Sequence, residues 1–209
     1  MLRITAPLAF GRRHVTPLVN EFLDRYPQVR VELVLADRNL DLIEEDLQLA
    51  VRIGPLPHSG LLMRKVGEVR RILVAAPSYL ARCPSLQRPA DIAAHETIAS
   101  VAANQTLHWR FGGPRRGSGV VLTPRLIVNE VESVLIAARA GRGLARVLSY
   151  QAADDLAAGT LLRLLPEFEP PPLPVQLVLP GGRQPAPRVR AFIDHAVARL
   201  PQLAPIGPG

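Results

Sequence analysis

The sequence predicts an α/β protein of two subdomains joined by a two-segment hinge, and three observations predict it. A strand, a helix and a second strand follow one another directly between Leu2 and Ala36, and such units are right-handed with parallel strands. Short strands and helices then keep alternating to near Leu200. The last helix sets Val189, Phe192, Ile193, Ala196, Val197 and Leu200 at helical spacing and needs a sheet face to cover; the first lobe, with three strands and too few helices for two faces, has room for it. The chain is therefore expected to leave the first lobe near Leu73 and return near Leu177, so that residues 1–73 with 177–209 form one subdomain and 74–176 the other.

Taken in order, Leu2 to Thr5 is a short apolar strand that breaks at Ala6-Pro7. Gly11-Arg12-Arg13-His14 heads a helix whose apolar residues Val15, Leu18, Val19, Phe22, Leu23 and Tyr26 recur on one face, and Pro27 ends it. Val29 to Ala36 alternates as a strand does. NLDLIEEDL reads as a short helix with Leu40 and Ile43 inward, and Leu47 to Ile53 as a third strand ending at Gly54-Pro55. Leu61 to Pro77 is one or two extended segments. A short helix at Pro77-Ser78-Tyr79-Leu80 opens the second lobe, followed by the strand TIAS and the turn GGPRRGSG, Gly112 to Gly119. Val131, Val134, Leu135 and Ala138 share one helical face, and Gly141 stops that helix in the usual C-cap position. GLARVLS is a strand, QAADDLAAG a helix and TLLRLLP a strand. Glu167 to Pro174 holds four prolines, which remove donors and fix φ, so it is irregular and leads into the strand VQLVLP.

Composition bounds the function. No apolar run is long enough to span a bilayer, and the N-terminus MLRITAPLAFGRRH lacks a long apolar core followed by a cleavage site; the expectation is a cytoplasmic protein with no membrane partner. Cys83 is the sole cysteine, which excludes an internal disulfide and a cysteine-rich metal site. The net charge of +7 attracts anions. Yet Lys65 is the only lysine, the arginines are spread along the chain, and Trp109 is the only tryptophan, so a basic surface interleaved with aromatics for nucleic acid is not predicted.

Catalytic patterns fail. GxSxG, HExxH, Walker and CxxC motifs are absent, so no enzyme, no metal and no cofactor is expected. GRGLAR, Gly141 to Arg146, begins like a dinucleotide fingerprint but follows a helix and lacks the last glycine, which makes it a helix-to-strand turn. His14, His58, His95, His108 and His195 have no ligand spacing and read as surface or capping residues. Glu44-Glu45-Asp46 and Asp154-Asp155 read as solvent-facing helix flanks. What remains is topological: ligands sit beyond the carboxyl ends of parallel strands, where helix N-termini also point. Those positions are Thr5-Ala6-Pro7-Leu8, Arg52-Ile53-Gly54, Ser100-Val101 and Ala145-Arg146-Val147, with Asn129-Glu130 at a helix start. They offer hydroxyls, amides and an arginine, a set that binds.

The stretch LRITAPLAFGRRHVTPLVNEFLDRYPQVRVELVLADRNLDLIEEDLQLAVRIGPLP resembles the opening of the effector-binding domain of LysR-type transcriptional regulators. RRILVAAPSYLARCPSLQRPADIAAHETI, the WRF at Trp109, AARAGRGLARVLSY, LPEFEPPPLPVQLVLP and RVRAFIDHAV extend the resemblance over essentially the whole chain in order. It implies two Rossmann-like subdomains, similar to type 2 periplasmic binding proteins, with a small-molecule effector in the cleft. Thr5, Ala6, Pro7 and Leu8 would form one wall with Arg52, Ile53 and Gly54; Ser100, Val101, Asn129, Glu130 and Ala145 would stand opposite. It also implies a homodimer, with helices like Val15 to Tyr26 and Val131 to Ala140 pairing across it. Two departures stand out. Met1 is already at the first strand, so the winged helix-turn-helix and linker helix of such regulators are expected to be missing here, by truncation or excision, and with them DNA binding by this polypeptide alone. Ser149-Tyr150 replaces a Leu-Pro pair found in many relatives. A solute-binding protein for transport is the alternative on the same fold.

Overall fold

The computed structural model describes residues 1–56, 60–101, 107–112, 119–182 and 184–202. Two compact units form, one from Met1–Val69 with the chain from Leu173 onward, the other from Arg70–Pro172.

In the first unit β1 (Leu2–Ala6), β2 (Val31–Leu35), β3 (Leu49–Ile53), β4 (Leu62–Val69) and β12 (Leu173–Leu179) make one sheet in the order β2-β1-β3-β12-β4. β1 pairs parallel with β2 and β3, through Ile4 with Leu33 and Leu49, whereas β12 runs antiparallel between β3 and β4. Leu2 and Ile4 of β1 and Leu49 of β3 are wholly buried, and Leu2-Arg3-Ile4-Thr5 alternates so that Leu2 and Ile4 share one face of the strand.

The first helix begins at Leu8, immediately after Pro7, and not at Gly11. It runs as α1 (Leu8–Phe10), a π-helical turn over Gly11–Val15, and α2 (Thr16–Arg25). The Gly11 N–H donates to the Pro7 carbonyl at 2.7 Å, so glycine lies inside the helix; a Cβ there would run into the Leu35 side chain on β2. α6 (Pro187–Arg199) lies beside α2, where the Phe192 and Phe22 rings meet edge-on at 5.0 Å and Arg199 grips Glu21 through two hydrogen bonds of 2.8 Å.

Residues 40–46 do not form the expected helix. Asp41 Oδ1 accepts from the N–H groups of Ile43 and Glu44 at 2.8 and 3.1 Å, a side-chain turn that competes with helix formation, and Asp46 takes φ +49. Leu40, Leu42 and Leu47 consequently point inward with Ala50 and Val178, while Ile43 is 77% exposed. Glu44, Glu45 and Asp46 are exposed on this turn.

In the second unit β5 (Arg71–Ala75), β6 (Thr97–Ser100), β9 (Leu126–Val128), β10 (Leu144–Leu148) and β11 (Leu162–Leu164) are ordered β11-β5-β10-β6-β9, with β7 (His108–Arg110) and β8 (Gly119–Val121) forming a separate ribbon. β6 is parallel to β9 and β10; β5 is antiparallel to β10 and β11. One face packs Ile72, Val74, Ile98 and Ala145 against α4 (Val131–Arg139). The other packs Leu73, Ala75, Ala99 and Leu144 with Tyr79 of α3 (Pro77–Leu80), Trp109 and Phe111. In GRGLAR, Gly141 adopts φ +67 and Gly143 φ +143, and a Cβ on Gly143 would stand 2.5 Å from the Glu96 carbonyl oxygen; only glycine makes this turn from α4 into β10. Most of the GGPRRGSG turn, 113–118, lies outside the described residues.

The expected boundaries, 73 and 177, fall inside β5 and β12. Each strand pairs within a single sheet, so the chain passes between units at 69/70 and 172/173. Ser149 anchors Arg70 just past the first passage: its N–H donates to the Arg70 carbonyl at 2.8 Å and its Oγ accepts from the Arg70 N–H at 3.1 Å.

Candidate functional site

In the first sheet the carboxyl ends of β1 and β3 adjoin, because the strands are parallel neighbours with Thr5 level with Ala50. Thr5 is 6% exposed and shares a face with Ala50 and Val34. Pro7, at φ −57 and ψ 141, turns the chain from strand into helix. The Leu8 N–H donates to Asp37 Oδ1 at 3.0 Å: a carboxylate from the end of β2 occupies this helix start, which carries partial positive charge. Arg52 donates to the Leu40 carbonyl at 2.7 Å; burial lowers its pKa, Asp41 opposing. Ile53 is half-buried. Gly54 ends β3 at φ +102, donating to the Pro174 carbonyl and accepting from Gln176 Nε2, both at 2.9 Å.

In the second sheet Ser100 is level with Val128, and Val101, 44% exposed, donates to the Val128 carbonyl at 2.8 Å. Asn129, just past β9, is exposed. Glu130 is the N-cap of α4: its carboxylate accepts from the N–H groups of Glu132 and Ser133, each at 2.8 Å, and from the Ser133 hydroxyl at 3.1 Å. Ala145 stands elsewhere. It is level with Ile98, two residues short of Ser100, and is fully buried in the apolar cluster under α4. Pairing of β10 with β6 starts at Leu144 with Thr97, so the residue level with Ser100 is Val147. Thr5–Leu8 therefore joins Arg52–Gly54 at one strand-end edge and Ser100–Val101 joins Asn129–Glu130 at another, with Ala145 outside both.

Asp37 was missed by the sequence reading. Two positions beyond the end of a strand parallel to β1, it is set beside Leu8 by register, and that spacing was the available signal. The acidic and histidine readings also need correction. Asp155, on α5 (Ala153–Ala158), is 7% exposed and held by Arg139 at 2.7 and 2.9 Å. His14 is buried, and burial with the neighbouring Arg13 charge pushes its imidazole down to about 4. His95 is also buried, its Nδ1 3.2 Å from the Tyr79 hydroxyl. His58 lies outside the described residues. Among the described residues no group of three or more His, Cys, Asp or Glu could hold a metal ion, and no helix is long and apolar enough to cross a membrane.

Parallel strand ends that carry hydroxyls, amides and helix starts, in two α/β units joined by two chain passages, are where open α/β sheets take ligands. A match to the LysR substrate binding domain spans residues 1–201, and the chain belongs to that family. Among curated relatives it is 34% identical over 193 residues to the HTH-type transcriptional regulator PtxR of Pseudomonas aeruginosa, covering 92% of this chain and 62% of that protein. It is 31% identical over 204 residues to an HTH-type transcriptional regulator of Xanthomonas campestris pv. campestris, covering 95% and 59%. The chain thus spans less than two thirds of these relatives' length. Among solved structures, the regulatory domain of CrgA, a LysR-type transcriptional regulator from Neisseria meningitidis, is 25% identical with a TM-score of 0.81, covering 95% of this chain and 98% of that one. The regulatory domain of AphB in Vibrio vulnificus is 27% identical with a TM-score of 0.78, covering 94% and 96%. The curated relatives are transcriptional regulators, and nothing in the comparisons supports the transport alternative.

Proposed function

We propose that this chain binds a small-molecule effector at its strand-end loops, and that the bound effector biases a cytoplasmic homodimeric regulator whose DNA contacts are made by a helix-turn-helix domain outside these residues. The observation that carries the reading is the convergence of Thr5–Leu8 with Arg52–Gly54 at the carboxyl edge of parallel strands, the position at which open α/β sheets take ligands, in a chain of this family. Thr5 supplies a hydroxyl, Arg52 a cation, and Asn129 an exposed amide from the second unit. Arg52 and the net charge of +7 favour an anionic effector. The site binds without turnover, since these positions pair no nucleophile with a base.

The test is thermal unfolding of the chain against a panel of small carboxylates and aromatics. A ligand at about 100 times its dissociation constant adds roughly 2.7 kcal/mol. Thr5→Val and Asn129→Ala are expected to weaken the ligand so found by about tenfold each, the loss of a hydrogen bond worth about 1.4 kcal/mol; unchanged affinity in both removes these residues from the site.

A further inference from the structure

Arg71 opens β5, and Arg146 lies in β10 beside it. In their antiparallel register Leu148 faces Arg71 and Leu73 faces Arg146, so the two arginines are diagonal neighbours on one face of the second sheet. It is the face that carries Leu73, Leu144, Trp109 and Phe111. The Arg146 guanidinium lies 5.2 Å from the centre of the Trp109 ring, and its Nη1 donates to the Arg110 carbonyl at 3.1 Å. Its Nε is buried and has no hydrogen-bond partner.

Neither arginine has an ion pair among the described residues. On the acidic side the account is complete, because every Asp and Glu of the sequence lies within the described residues. Of the second unit's carboxylates, Glu169 is committed to Arg163 through two bonds of 2.6 Å and Asp155 to Arg139. Elsewhere in the chain Arg3 is matched by Glu32, and Arg139 by both Asp155 and Glu132. Two adjacent half-buried cations facing an apolar surface without a counter-charge are unfavourable by themselves. Burial lowers the Arg71 guanidinium, and burial together with Arg71 pushes Arg146 down to about 9.

We infer that Arg71 and Arg146 form a binding site for a small carboxylate, complete within the second unit, with guanidinium N–H groups donating to the carboxylate oxygens and the carbon skeleton lying toward Trp109. A carboxylate accepts from both guanidinium groups, supplies the missing negative charge and gives the Arg146 Nε a partner. This site goes beyond the strand-end residues proposed above and does not depend on them.

Trp109 is the only tryptophan of the chain, so its fluorescence reports on the site directly. The chain is titrated with sodium succinate, with sodium chloride and sodium phosphate as parallel arms at matched ionic strength. Succinate is expected to change the emission saturably, chloride to leave it flat, and phosphate to bind more weakly. Arg71→Gln is expected to weaken succinate by about tenfold or more, the loss of hydrogen bonds to a charged group, and Arg146→Gln to do the same by calorimetry, which does not rely on the ring contact. Circular dichroism checks that both variants fold. Absence of saturation in the unaltered chain, unchanged affinity in folded Arg71→Gln, or phosphate binding as tightly as succinate overturns the assignment. Thr5→Val, in the other unit, is expected to leave the titration unchanged; loss of the response there would place succinate at the strand-end site and overturn a second one.

Discussion

Asp155 shows what a single buried carboxylate does for the second unit. It ties α5 to α4 through Arg139 and takes a further hydrogen bond from the Thr160 hydroxyl at 2.8 Å. The Arg139 hydrogen bonds hold its carboxyl below the usual range, against the opposing effect of burial. A depressed folded pKa means the stabilisation is present above about pH 4, the ordinary Asp value, and is lost as pH falls through the folded one. Asp155→Asn is expected to cost about 1–3 kcal/mol at pH 7 in urea unfolding, and the deficit is expected to shrink toward pH 3. At this scale the sequence was only partly legible. Thr5, Arg52, Ser100 and Asn129 follow from strand ends alone, whereas Asp155 read as a solvated flank because its partner is 16 positions away in sequence. The Arg71–Arg146 neighbourhood is likewise invisible without the register of β5 against β10.

Elements were legible where one periodicity ran unopposed. α2 and α6 follow from their apolar spacing, and the parallel β1–β2 pair from the strand–helix–strand succession. Legibility failed where a side chain outcompeted the backbone pattern: Asp41 captures two N–H groups and converts an apparent helix into a turn, and Asp37 moves the first helix start from Gly11 to Leu8. The turn between α4 and β10 belongs to this scale too. Gly143→Ala would place a methyl 2.5 Å from the Glu96 carbonyl oxygen at φ +143, backbone that other residues occupy at a cost of about 1–3 kcal/mol. A loss of at least that size is expected in chemical denaturation, and a variant as stable as the parent would mean that the turn relaxes freely.

On the scale of the molecule, the first unit is assembled from two separated stretches of chain while the second is one uninterrupted stretch, Arg70–Pro172. Its ends are side by side, since Val69 pairs with Leu173 across β4 and β12. A fragment of residues 70–172 is therefore expected to fold alone, observed as cooperative thermal unfolding by circular dichroism, whereas 1–172 is expected to leave the first unit unfolded, because β12 is the strand that joins β3 to β4.

That placement of β12 also sets a schedule on the ribosome. When Val69 emerges, the nascent chain holds β1 to β3 with nothing to bridge them to β4, and the bridging strand is translated only after the entire intervening domain. The later-encoded body can reach its native state first, and the earlier one must wait, its open sheet edge a target for chaperones, until Leu179 has left the exit tunnel.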